Sequence, residues 1–121
     1  MARSPELERR VLDTLWGGGA WSVREIWESV DPGLAYTTFA TVLDRLHRKG
    51  ELDREKVDGS WRYTAARSKE QALADEVGRV LERADGAPAP LLVAFLDQVE
   101  AADPAGLDRL EALLRTRRET S

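Results

Sequence analysis

Three amphipathic helical stretches followed by a two-stranded hairpin signal, all within the first 67 residues, predict a mainly α fold with a small β-hairpin wing. That order of elements is the winged helix-turn-helix arrangement. A second set of helical stretches, one of them apolar nearly all round, predicts a C-terminal helical dimerisation region. The expected boundaries are residues 1–67 for the winged helix-turn-helix domain and residues 68–121 for the dimerisation region.

The first helix opens at Ser4-Pro5, a serine suited to cap the helix and a proline tolerated in its first turn. Leu7, Val11, Leu12 and Leu15 recur at helical spacing until Gly17-Gly18-Gly19 stops the run. Trp21 begins a short extended piece. Ser22-Val23-Arg24-Glu25 has the form of a capping box and starts a second helix whose apolar face is Val23, Ile26, Trp27 and Val30. Asp31-Pro32-Gly33 turns the chain. The third helix begins near Tyr36 and ends at Gly50, a residue type suited to the left-handed backbone just past a helix. Asp58-Gly59 is a hairpin-turn signal between extended stretches at residues 51–57 and 60–65. Trp61 and Tyr63 share one strand face and are read as packing on the helices.

Ser68-Lys69-Glu70-Gln71 is a second capping box, leading a helix with Leu73, Val77, Val80 and Leu81 inward. A loop rich in proline and alanine, residues 85–90, separates it from Leu91-Leu92-Val93-Ala94-Phe95-Leu96 and Val99. Asp103-Pro104 is expected to cap a last helix carrying Leu107, Leu110, Leu113 and Leu114. A helix apolar on every side must be buried on every side, which three short helices cannot achieve alone. A second copy of the chain can. The seam of that homodimer is assigned to Leu73, Val77, Leu91, Leu92, Phe95, Leu96, Val99, Leu107, Leu110 and Leu114.

Composition removes several classes of function. No cysteine is present, so disulfides, thiolate metal sites and cysteine nucleophiles are excluded. The single histidine, His47, cannot build a histidine-rich metal site. No nucleophile–histidine–acid set and no glycine-rich phosphate loop before a helix is found, so neither enzymatic activity nor a cofactor or metal is expected. The longest stretch without a charge is residues 32–43, and residues 86–96 come next, both well short of the roughly 20 residues a membrane helix needs. With no signal-peptide pattern at the N-terminus, the expected location is cytoplasmic. The net charge is −4, but the deficit is uneven. Residues 1–67 carry 11 basic and 11 acidic side chains, and residues 35–67 carry 7 basic against 5 acidic. An acidic total is therefore compatible with a nucleic-acid partner.

Projected at helical period, the third helix places Phe39, Val42, Leu43 and Leu46 on one side. Thr37, Thr41, Asp44, Arg45 and Arg48 fall opposite, with Thr38 at the margin. Short hydroxyls near the N-terminus and cations farther along suit a helix that reads duplex DNA in the major groove. Thr37, Thr38 and Thr41 are candidates for base edges and thymine methyls, and Arg45 for bidentate recognition of guanine. Tyr36, Arg48 and Lys49 complete the surface, the latter two against the backbone. Arg54, Lys56 and Arg62 are the candidate phosphate contacts of the wing. The same features also suit a solvated helix face and a winged helix used to bind protein.

Glu6-Leu7-Glu8 with Val11 and Trp16, then Val23-Arg24-Glu25, is a pattern that resembles the BlaI/MecI family of penicillinase repressors. The resemblance continues through Ala35-Tyr36-Thr37-Thr38, Thr41-Val42-Leu43-Asp44-Arg45-Leu46, Arg48-Lys49-Gly50 and Trp61-Arg62-Tyr63, and is weaker in the tail. It implies a homodimeric repressor on a palindromic double-stranded DNA operator, with the C-terminal helices interlocked. It also implies inactivation by a membrane zinc-metalloprotease sensor system that leads to cleavage in the tail. The family's cut lies between asparagine and phenylalanine; the matching pair here is Ala94-Phe95, and the chain contains no asparagine. A copper-responsive branch carries cysteine pairs near the C-terminus, which this chain lacks.

Overall fold

The computed structural model describes residues 4–120. α1 (Ser4–Trp16) ends where the three glycines begin, and the cap expected from Ser4 lies outside the described side chains. The Ser22 hydroxyl accepts the Glu25 N–H at 3.1 Å while the Glu25 carboxylate accepts the Ser22 N–H at 3.1 Å. This reciprocal box starts α2 (Val23–Val30), whose Ile26 is fully buried. α3 (Tyr36–Arg48) closes with the N–H of Gly50 on the carbonyl of His47 and the N–H of Glu51 on that of Leu46. These two bonds satisfy carbonyls that the helix leaves open and fix where the chain departs for the hairpin.

β2 (Leu52–Val57) and β3 (Ser60–Ala65) pair antiparallel, with Arg54 opposite Tyr63 and Lys56 opposite Trp61. Asp58 (φ 52°) and Gly59 (φ 82°) both take the left-handed conformation that a two-residue turn needs to match the twist of its strands. β1 (Trp21–Ser22) adds to the other edge of β3, giving the order β1-β3-β2. Leu7, Val11 and Leu15 from α1, Ile26 from α2, and Phe39, Val42, Leu43 and Leu46 from α3 converge with Leu52 and Tyr63 in one core. Each buried leucine or phenylalanine there contributes roughly 1.5–3 kcal/mol. The three helices, sheet and wing thus form a mainly α fold with a β wing.

One packing expectation is corrected. Tyr63 is buried at 3% exposure, but Trp61 is 38% exposed. Leu52 and Tyr63 lie at the base of the hairpin, over the helices, whereas Trp61 pairs with Lys56 near the turn, beyond that core.

By backbone proximity the chain forms two units, one running to Asp75 and one starting at Glu76. In the first, the Ser68 hydroxyl accepts the Gln71 N–H at 3.1 Å, so the second capping box starts α4 (Lys69–Arg83). Arg67 pairs with Glu51 at 2.5 Å and with Asp75, and Ala72 is buried. In the second unit, α5 (Ala89–Ala102) packs on α6 (Gly106–Glu119). A methyl group on Gly106 would lie 2.8 Å from Val99 Cγ1, so the close approach there requires glycine.

The tail fits expectation only in part. Asp103 serves both helices it joins: its N–H bonds the carbonyl of Val99 at the end of α5, and its Oδ1 accepts the Ala105 N–H at 3.0 Å just ahead of the regular start of α6 at Gly106. Asp103-Pro104 is therefore the turn between α5 and α6. The residues expected inward on α4 are also uncovered in the single chain, with Leu73, Val77 and Val80 all exposed. α5 has no buried residue at all. Among the described residues no helix is long and apolar enough to cross a membrane.

Candidate nucleic-acid interface

Burial of Phe39, Val42, Leu43 and Leu46 fixes which side of α3 faces outward. Thr37, Thr38, Thr41 and Arg48 are exposed there, and Asp44 is half-buried. The Thr41 hydroxyl donates to the Thr37 carbonyl at 3.0 Å, which ties down its proton and leaves its lone pairs to accept from a ligand. Asp44, one helical turn on, accepts from Arg48 Nε at 3.0 Å and from Arg54 of β2 at 3.2 Å. One carboxylate thus joins α3 to the wing.

Within the wing, Arg54 and Lys56 both lie over the Trp61 ring, at 4.3 Å and 5.3 Å from its centre. Cation–π contacts of this kind are worth about 0.5–1 kcal/mol at exposed sites. Here they hold two long side chains on one face of the hairpin. A hydrogen bond with Tyr63, and after it the Asp44 carboxylate, raises the pKa of Arg54, whose side chain is only 24% exposed. Thr37, Thr41, Arg48, Arg54 and Lys56 are therefore gathered on adjoining surfaces of α3 and the wing.

The other candidates are placed differently. Arg45 and Lys49 turn to the shoulder of α3 nearer α1, where Glu8 meets them at 3.6 Å and 3.1 Å. Tyr36 is exposed and sets its ring edge-on to Trp27, with centres 5.9 Å apart. Arg62 points to the opposite side of β3 from Trp61, pairing with Glu25 at 2.8 Å and approaching the Ala20 carbonyl. The Glu25 carboxyl is held below its ordinary pKa, first by the Ser22 N–H and hydroxyl and then by Arg62. Tyr36, Arg62 and Arg24 line a cleft of about 580 Å³ under the wing turn. Arg24 was not singled out from the sequence. Its place in the capping box and in the Val23-Arg24-Glu25 pattern was the signal in the sequence, and in the structure it is highly exposed and pairs with Glu28. Trp61 and Asp44 also gain partners that periodicity could not supply.

Among the described residues no group of three or more His, Asp or Glu side chains could hold a metal ion. Three helices followed by the hairpin form a winged helix-turn-helix, a fold found in DNA-binding transcriptional regulators. A family model described as penicillinase repressor matches residues 5–116. The transcriptional regulator BlaI of Mycobacterium tuberculosis, from strains CDC 1551 and H37Rv, is 32% identical over 119 residues, covering 94% of this chain and 86% of the relative. The chain belongs to the penicillinase repressor family, whose members are transcriptional repressors and not enzymes. Solved structures similar to it include Mycobacterium tuberculosis Rv0081, at 26% identity and TM-score 0.47, covering 64% of this chain and 76% of that one. Another is Bordetella bronchiseptica BpsR, from work on regulation of its DNA binding by 6-hydroxynicotinic acid, at 18% identity and TM-score 0.47, covering 93% and 73%.

Proposed function

We propose that this repressor acts as a homodimer on a palindromic operator, reading each half-site with α3 and holding the flanking backbone with the wing. The observation that carries the reading is the division of α3. Its four apolar side chains are spent on the core, and the threonine–arginine stripe that remains stands beside the cations of the wing. Thr37, Thr38 and Thr41 sit at the end of the helix that enters a major groove first, where short hydroxyls reach base edges. Arg48, Arg54 and Lys56 meet phosphates. Arg45 and Lys49 reach DNA by exchanging Glu8 for a base edge or phosphate oxygen.

Dimerisation is supported by α5, whose apolar residues are left uncovered in the single chain. Two-fold pairing through the tail sets the two α3 helices a whole number of DNA turns apart, roughly 34–36 Å per turn. Induction follows from the same design. A cut within α5, at Ala94-Phe95, by a zinc-metalloprotease sensor system in the membrane would break the seam without touching the reading surface. The protein itself works in the cytoplasm.

Selection from a pool of random duplexes tests the function. The intact protein should enrich a two-fold symmetric site with half-sites one or two turns apart. Recovery of unselected sequence would overturn operator recognition and leave a winged helix that binds protein.

A further inference from the structure

A carboxylate on the surface that approaches a polyanion is repelled by it, and Asp44 stands on that surface between Thr41 and Arg48. Its geometry is that of a clamp. One oxygen takes Arg48 Nε at 3.0 Å on the same helix, and the other takes the Arg54 guanidinium of β2 at 3.2 Å. Arg54 in turn lies over the Trp61 ring, 4.3 Å from its centre, so the carboxylate sits at the head of a chain running from α3 into the wing. We propose that Asp44 is a positioning and specificity-determining residue that holds Arg48 and Arg54 in register and restrains their attraction for DNA of any sequence.

The reasoning rests on the DNA-binding reading above. Two cations shared with one carboxylate present about one net positive charge where two would otherwise meet phosphate. Sequence-independent affinity scales steeply with the number of phosphates neutralised, while base-edge contacts do not. Holding down the first term raises the ratio of specific to non-specific binding, the quantity that matters against a genome of competing sites. The clamp also orders two long side chains before DNA arrives, so less freedom is lost on docking.

The test titrates the full chain, as wild type, Asp44→Asn and Asp44→Glu, with its selected duplex and with random duplex across a salt series. Asp44→Asn should bind random duplex several-fold more tightly at low salt and narrow the ratio of selected to random affinity. Its plot of log affinity against log salt should steepen by about one unit, since one more phosphate is neutralised. Asp44→Glu keeps the charge and should return the slope toward wild type. A purely structural Asp44 would move the melting temperature and leave the slope alone. A slope for Asp44→Asn equal to or shallower than wild type overturns the proposal, as does a changed base preference at a single position, which would make Asp44 a reader of cytosine. If wild type itself fails to discriminate between the two duplexes, operator recognition falls with it.

Discussion

Replacing Phe95 with aspartate should separate the two subunits while leaving each chain folded. Phe95 is 40% exposed in the single chain, Leu96 39%, Leu92 44% and Val93 60%. Full burial of such side chains is worth roughly 1.5–3 kcal/mol, so covering the uncovered share yields about 1 kcal/mol each. Several of them, doubled by two-fold symmetry, offset the cost of association. A carboxylate in the seam forfeits its own share and adds a desolvation penalty of several kcal/mol, entered twice because the axis repeats it. Since about 1.4 kcal/mol is tenfold in an equilibrium constant, the dimer Kd should rise at least about a thousandfold. Sedimentation equilibrium over a broad concentration range measures this directly, with far-UV circular dichroism reporting the helices. The companion is a fragment ending at Asp75, which keeps buried Ala72 and the Arg67–Asp75 pair. It should be monomeric and bind a single half-site weakly. An unchanged dimer Kd for Phe95→Asp, or a wild type that is monomeric at micromolar concentration, would refute the reasoning.

Thr41→Ala and Arg45→Ala should each lose about 1–3 kcal/mol of binding to the selected duplex with little change in thermal unfolding; equal gel-shift affinity would remove α3 as the reader. Lys56→Ala should weaken selected and random duplex alike and make the salt slope shallower by about one unit, and an altered sequence preference would make Lys56 a base reader instead. Glu25 has its pKa lowered on folding by Ser22 and Arg62, so it adds stability that is fully present above the ordinary value of 4.5 and disappears as pH falls through the lower folded value. Chemical denaturation of Glu25→Gln across pH should therefore show a flatter acid limb than wild type, and identical limbs would contradict the assignment.

Much of this molecule is written in local pattern. The capping boxes at Ser22 and Ser68, the Asp58-Gly59 turn and the helix stop at Gly50 depend on neighbours within a few residues, so their chemistry can be read along the chain. The outward stripe of α3 was legible for the same reason, because helical period alone sorts Phe39, Val42, Leu43 and Leu46 from Thr37, Thr41 and Arg48. The start of α6 was legible only in part, since Asp103-Pro104 marks the turn but the backbone around Val99 and Ala105 decides that the regular helix begins at Gly106.

The sequence by itself determined the order of elements, the core face of each helix in the winged domain and the family. Tertiary structure decided which charges meet. Glu8 takes Lys49 from 41 residues away, and Arg62 reaches from β3 to Glu25 of α2. Asp44 reaches Arg54 only because the hairpin folds back beside α3, and Trp61 is left half in solvent because the same hairpin runs on past the core. Pairing of charges depends on distances of a few ångströms between residues far apart in the chain, and periodicity within one element carries no information about such distances.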